Sequence, residues 1–240
     1  MGKLTCVPLK ELEVHRINSI ADLYPDLRKE SKAPTFALTY RGTWLTLVRN
    51  CGFTKEQAKS VEARYHELYK VSDTWVQDKL EMACKDGYIT VAFGLRVRTP
   101  ALKSAGEIGK RHTPSHVEAE GRTAGNACGQ SYGLLNTRAA VAFQEIVLNS
   151  PYRYDILPVA SIHDANYFMI RDDPEVVKFV NDHLVQEAEW QELDEIAHPE
   201  VKLGGQLSLF YPSWAEEYVI PNHASIPEIY AACQPKPEED

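Results

Sequence analysis

An α+β fold is predicted from three observations. Long segments with helical spacing alternate with short apolar runs, the arrangement in which helices and antiparallel hairpins share a core. Two of those runs, Tyr88–Thr99 and Asp155–Arg171, each break at a tight turn and read as hairpins. No internal repeat is present.

Taken in order, Leu9 to Leu27 reads as one or two short helical pieces. Lys32 to Asn50 places Phe36, Leu38, Tyr40, Trp44, Leu45 and Val48 at helical spacing, with a break near Arg41-Gly42. Pro34 removes the bond to Glu30 and should kink or begin that helix. Thr54 and Gln57 form a capping box that opens a helix running to about Lys85, where Asp86-Gly87 stops it. The first hairpin turns around Gly94, and Ala101–Ser115 reads as a polar loop. One helix is expected from about His116 to Leu148, ahead of the second hairpin. Asp173-Pro174-Glu175 opens another, with Pro where its missing N–H costs little. A strand follows at Val201–Phe210, and the tail from Pro221, rich in Pro and acid, reads as loosely ordered.

The 240 residues can bury a core in one or two domains. No run approaches the roughly 18 apolar residues of a membrane span, so no membrane partner is expected. The opening MGKLTCVPLKE lacks the apolar centre of a secretory signal, and Cys6 stands where a myristoylation signal wants Ser or Thr. Five scattered cysteines form no CxxC pair, which points to reduced thiols and a cytoplasmic setting. The formal net charge of −8 weighs against nucleic acid on average, but averages hide patches. From Arg28 to Arg49 the bases are Arg28, Lys29, Lys32, Arg41 and Arg49 against the single acid Glu30.

The second hairpin turns at His163-Asp164. Two-residue turns favour Asn-Gly or Asp-Gly because the central residues take positive φ, so His-Asp is poor turn chemistry. Breaks of a local rule tend to mark function, and an Asp there is a natural ligand for a hard cation such as Mg²⁺. A solvated turn is the plain alternative.

Two rows recur every four residues. Arg28, Lys32, Phe36 and Tyr40 would lie along one helical stripe about 18 Å long, cations first and aromatics last. That order suits a triphosphate at one end and a stacked base and sugar at the other. Its alternative is a solvated basic turn leading into a buried aromatic face. Arg122, Asn126 and Gln130 form the second row, beside glycines at 121, 125, 129 and 133. Each interior Gly costs roughly 0.8–1 kcal/mol against Ala, so close approach of another backbone is expected. The polar trio could contact base edges and phosphates; a packed helix–helix contact is the alternative.

In this order the features resemble the family A DNA polymerases, the bacterial DNA polymerase I group and its phage relatives. RKESKAPTFALTYRG resembles motif B, and CGFTKEQAKSVEARYHELY and GYITVAFGLRVRTP resemble the helix and hairpin after it. GRTAGNACGQ carries the Arg-x3-Asn-x3-Gln row, SIHDA resembles motif C, and VKLGGQLSLFYPSW resembles the end of the palm. The resemblance covers about His15 to Trp214, and the phage members are nearest in character. It implies a partial right-hand polymerase: lead-in helices at 1–27, fingers at 28–87, the C-terminal half of the palm at 88–218, and a tail at 219–240.

It also implies roles. Arg28 and Lys32 would contact the phosphates of an incoming dNTP, with Lys32 a candidate acid toward pyrophosphate. Phe36 would pack on the sugar, and Tyr40 would sit near the templating base. Arg122, Asn126 and Gln130 would track the primer–template minor groove. His163 would approach the primer terminus, and Asp164 would bind Mg²⁺. Two departures stand out: Ala165 replaces the usual Glu of motif C, and Arg41 follows the motif B Tyr in place of Gly.

The motif A Asp and the thumb are not found ahead of Arg28. A split enzyme is therefore expected, phage-encoded and working in a bacterial host cytosol, with a complementary polypeptide carrying motif A and the thumb. The alternative is a non-catalytic DNA-binding remnant or accessory module. A third class, a metal-dependent hydrolase on His112 and His116, is weakened by Pro114 between them and by the lack of a Glu general base there.

Overall fold

A computed structural model of the chain describes residues 23–109 and 112–234, which form two compact units divided between Gln130 and Ser131. Both mix helices with antiparallel hairpins, in agreement with the α+β expectation. Most of the expected lead-in at 9–27 lies outside the described residues.

Among the described residues of the first unit are α1 (Pro25–Thr39), α2 (Trp44–Cys51) and α3 (Lys55–Leu68). Pro25 starts α1, and the helix continues through Pro34, whose ring is buried. The expected break comes at Tyr40–Gly42: Arg41 takes φ 61°, and the Gly42 and Arg41 amides close the helix onto Ala37 O and Leu38 O. The N-terminus of α2 is capped from α3, where the Glu62 carboxylate accepts from Trp44 N at 2.9 Å. At α3 the expected capping box forms, with Gln57 N donating to Thr54 Oγ1 and Thr54 N to Gln57 Oε1. These three helices meet on Leu38, Leu47 and Ala58, flanked by Trp44, Val48, Phe53 and Val61.

The helix from Thr54 does not run unbroken to Lys85. Tyr69 divides it into α3 and α4 (Lys70–Asp86), and Ser72, Asp73 and Thr74, all weak helix formers, follow the break. Strands β1 (Tyr88–Thr90) and β2 (Arg96–Arg98) form the first hairpin, with Ile89 opposite Val97. The region expected as a loop contains α5 (Pro100–Ala105), which starts on Pro100 and buries Leu102 completely. Its N-terminus is capped by α6 (Ser115–Gln130), since Glu120 Oε2 accepts from Leu102 N at 2.6 Å. Leu80, Ile89, Leu102, Val117 and Ala124 form this second core.

The single helix expected over 116–148 is two helices, because a 3₁₀ turn at Ser131–Gly133 separates α6 from α7 (Leu134–Leu148). In the second unit, α7 and α8 (Pro174–Ala188) pack with β3 (Ile156–Ile162) and β4 (Ala165–Ile170) around Phe143, Val147, Ile156, Val176 and Val180. Asp173 caps α8 as expected, its Oδ1 accepting from Glu175 N at 2.9 Å. The strand expected from Val201 begins only at Leu207, as β5 (Leu207–Phe210) paired with β6 (Glu217–Ile220). The segment before it is held by Gln191, which donates to Ile196 O and Val201 O and accepts from Leu203 N. The tail also differs from expectation: Ser225 and Glu228 form a capping box that starts α9 (Ile226–Ala232), and Ile229 is buried.

Candidate functional site

In the first unit, Arg28, Lys32 and Phe36 stand on α1 and Tyr40 caps its C-terminus, all four exposed. The Arg28 guanidinium and Lys32 ammonium have no ion-pair partner among the described residues. The Phe36 and Tyr40 rings stack at 6.5 Å with 16° between planes. Phe36 is 56% and Tyr40 47% exposed, so the alternative of a buried aromatic face does not hold. Among the described residues, the stripe offers two unpaired cations and then an exposed aromatic pair to solvent.

Helix α6 carries the second row. Arg122 and Gln130 are exposed, and Asn126 is half-buried, its Nδ2 donating to Tyr40 O at 3.3 Å. Asn126 Oδ1 is buried without a partner among the described residues. The glycine stripe divides in two. A Cβ at Gly121 would meet Ile108, and one at Gly125 would meet Arg41 and Val76, so packing accounts for that half. Gly129 and Gly133 face open space.

In the second unit, β3 and β4 pair from Ile156↔Ile170 to Ile162↔Ala165, which leaves His163-Asp164 as a two-residue turn. Only the first central residue, His163, takes positive φ, at 54°. Both side chains are exposed. The Asp164 carboxylate has no hydrogen-bond or ion-pair partner among the described residues.

The hairpin's two faces differ. Ile156, Phe168 and Ile170 turn toward the core, with Phe168 edge-on to Phe143 at 5.2 Å. On the other face Leu157, Ile162 and Met169 are exposed, while Tyr167 packs against Trp214 at 4.9 Å. A β-bulge at Val159 shifts the register between Pro158 and Ala160, and no third strand joins the pair among the described residues.

Sequence reasoning missed the polar group beneath this turn. Asn136, in the first turn of α7, donates its Nδ2 toward Ser161 Oγ, His163 O and Asn166 Oδ1, each at 3.3 Å. Asn166 on β4 returns its own Nδ2 to Asn136 O at 3.0 Å and Asn136 Oδ1 at 2.7 Å. The available signal was an Asn inside each of two apolar runs, LLNTRAAVAF and ANYFMI.

For a divalent cation, Asp164 is right in kind but short in number. Its hard, unpartnered oxygens suit Mg²⁺, yet no group of three His, Cys, Asp or Glu side chains able to hold a metal occurs among the described residues. Ala165 adds no donor beside it. The same finding leaves His112 and His116, both exposed, without a third ligand.

A family model for DNA polymerase family A matches residues 13–204 of the 240. The chain belongs to DNA polymerase family A. A DNA polymerase I from Mycobacterium leprae (strain TN) is 30% identical over 86 residues, 36% of this chain and 9% of that protein. A solved structure of the POL domain of Pol1 from M. smegmatis, in complex with DNA primer-template and dNTP, resembles the fold with a TM-score of 0.55 at 22% identity. That match covers 76% of this chain and 29% of the other. The chain thus spans less than a third of each relative. No helix among the described residues is long and apolar enough to cross a membrane.

Proposed function

We propose that this chain is the C-terminal fingers-and-palm part of a phage-type, split DNA-directed DNA polymerase that elongates primer–template DNA with dNTPs. Residues 28–87 would act as fingers and 88–218 as palm, after a lead-in at 1–27 and before a tail at 219–240. The observation that carries this reading is Asp164, exposed and, among the described residues, unpartnered at the tip of a His-Asp hairpin in a family A chain.

Arg28 and Lys32 would hold the triphosphate, whose several charges call for at least two unneutralised cations. Lys32 would also protonate the leaving pyrophosphate. Phe36 would pack on the sugar, and Tyr40 would lie beside the templating base. Arg122, Asn126 and Gln130 would follow the minor groove, and His163 would approach the primer end. Asp164 would supply one oxygen ligand to Mg²⁺, which when bound neutralises charge on the transferring phosphoryl.

The remaining carboxylate and a further strand would come from a complementary polypeptide with motif A and the thumb. The exposed apolar residues Leu157, Ile162 and Met169 on a two-stranded hairpin favour such a neighbour. Work in a bacterial host cytosol fits this enzyme. Ala165 favours a second reading, a non-catalytic DNA-binding module, because the usual second acid of motif C is missing.

Primer extension by the chain with its complement, with and without Asp164→Ala, separates the two. The polymerase reading expects extension that Asp164→Ala reduces by at least about 10²-fold, the order found for loss of one preorganised charge-stabilising group. DNA affinity should hold, and stability should move by no more than about 0.5 kcal/mol at this exposed site. Extension by the wild-type pair that survives Asp164→Ala would refute the assignment of the ligand.

A further inference from the structure

The tip of the β3–β4 hairpin poses a mechanical problem. Asp164 is exposed and has no side-chain partner among the described residues, so nothing on its own carboxylate sets its direction. Its aim comes from the backbone alone, through the peptide that joins it to His163. That peptide belongs to a residue at φ 54°, a conformation that non-glycine residues adopt at a cost and keep only where the surroundings impose it.

The surroundings here are one amide pair. Asn136 Nδ2 donates to the carbonyl oxygen of His163, which is the oxygen of the His163–Asp164 peptide. The same nitrogen reaches Ser161 Oγ on the last turn of β3 before the tip, and Asn166 Oδ1 on the first part of β4. Asn166 Nδ2 then donates back to both oxygens of Asn136. The pair therefore spans α7, the end of β3, the turn and the start of β4. It lies on the core-facing side of the hairpin, the side that carries Phe168.

We infer that Asn136 and Asn166 are positioning residues that lock the His163–Asp164 turn and thereby aim the Asp164 carboxylate. As a statement about catalysis this rests on the polymerase reading; as a statement about the turn it does not. Neither Asn touches the reacting atoms. Their effect passes through one peptide plane.

The test uses the full chain and two readouts. Backbone ¹⁵N relaxation compares wild type, Asn136→Ala and the double variant Asn136→Leu/Asn166→Leu. The double variant replaces both polar partners by apolar groups of similar size, which keeps the fold near wild-type stability. In both variants the order parameters of residues 162–165 are expected to fall from about 0.85 to below about 0.6, with those of α8 unchanged. Unchanged order at the turn in the double variant would overturn the inference.

The second readout is primer extension with the complement. Loss of aim lowers kcat at least tenfold while the KM for dNTP holds, and the double variant recovers melting temperature without recovering kcat. Recovery of kcat along with melting temperature would mark the pair as packing only and overturn the catalytic half. Absence of extension by the wild-type pair would refute the polymerase reading, and relaxation would still decide the lock on the turn.

Discussion

Replacing Gly42 by Ala tests the elbow that holds Tyr40 at the end of α1. An ideal Cβ on Gly42 would lie 2.5 Å from the carbonyl oxygen of Ala37 and 3.2 Å from both Ala37 C and Thr46 Oγ1. The nearest of these atoms is backbone, so no rotamer change relieves the clash. Relief requires the elbow to open, which weakens the Gly42 N to Ala37 O bond at 2.8 Å and the Arg41 N to Leu38 O bond at 2.9 Å. At about 0.5–1.5 kcal/mol net for each bond, plus about 1 kcal/mol or more of overpacking, the loss comes to about 2–4 kcal/mol. Gly52→Ala is the control. Gly52 sits at φ 72° with open space around its Cβ, so its cost is left-handed strain alone, about 1 kcal/mol. With a urea m-value of about 2 kcal/mol/M, Gly42→Ala should lower the unfolding midpoint by about 1–2 M and Gly52→Ala by about 0.5 M. Hydrogen exchange over residues 25–51 should locate the first loss at the elbow. A Gly42→Ala midpoint equal to or above that of Gly52→Ala would show the Ala37 carbonyl yielding freely, and the rigid-elbow reasoning would fail.

Three further outcomes are expected. Glu62→Ala and Glu120→Ala each remove a cap supplied by a neighbouring helix and should cost about 1 kcal/mol by thermal melting, with Glu62→Gln losing less because it keeps an acceptor. Asp173 and Glu228 are held below their ordinary values of 3.8 and 4.5, the first chiefly by the Glu175 backbone N–H and the second by the Ser225 hydroxyl. In that window the unfolded chain binds more protons than the folded one, so their stabilisation is complete above about pH 4.5 and is lost as pH falls through the lowered values. Urea midpoints from pH 7 to 3 should show that acid limb, and Asp173→Asn with Glu228→Gln should flatten it. Gln144 Oε1 is buried without a partner among the described residues, so Gln144→Met should leave stability unchanged or raise it by about 1 kcal/mol in the same melts.

Features written in a few adjacent residues were legible in the sequence. The Thr54/Gln57 box, the Asp173-Pro174 start, both hairpins and the break at Arg41-Gly42 all depend on local chemistry. Features set by packing were not. Helix α5 is only six residues long and buries Leu102 alone, too little for a period to emerge. The Ser225-x-x-Glu228 box was legible in the same way, but the Pro and acid content of the tail pointed to loose order instead. Among the candidate residues, the Arg28–Tyr40 row follows directly from four-residue spacing on one helix. The Asn136–Asn166 pair joins positions thirty residues apart, and a lone Asn within an apolar run carries no local pattern.

Among the described residues, four non-glycine positions take positive φ: Arg41, Phe93, His163 and His223. Three of them share one form of support, an asparagine amide on a nearby helix. Asn126 donates to Tyr40 O, one residue before Arg41, and Asn136 donates to His163 O. Asn181, fully buried on α8, accepts from His223 N and donates to Pro221 O at 2.7 Å. The fourth, Phe93, precedes Gly94, which itself takes φ 69° in an open turn. Left-handed conformation costs about 1–2 kcal/mol, and one hydrogen bond contributes about 0.5–1.5 kcal/mol net, so a side-chain amide roughly offsets the strain at each turn. Asparagine suits this task because its two donors and acceptor sit on a short stem that loses little rotamer freedom. Arg41 and His163 occupy turns with no glycine at the positive-φ position. The amide therefore supplies from outside the turn what glycine would have supplied from within it.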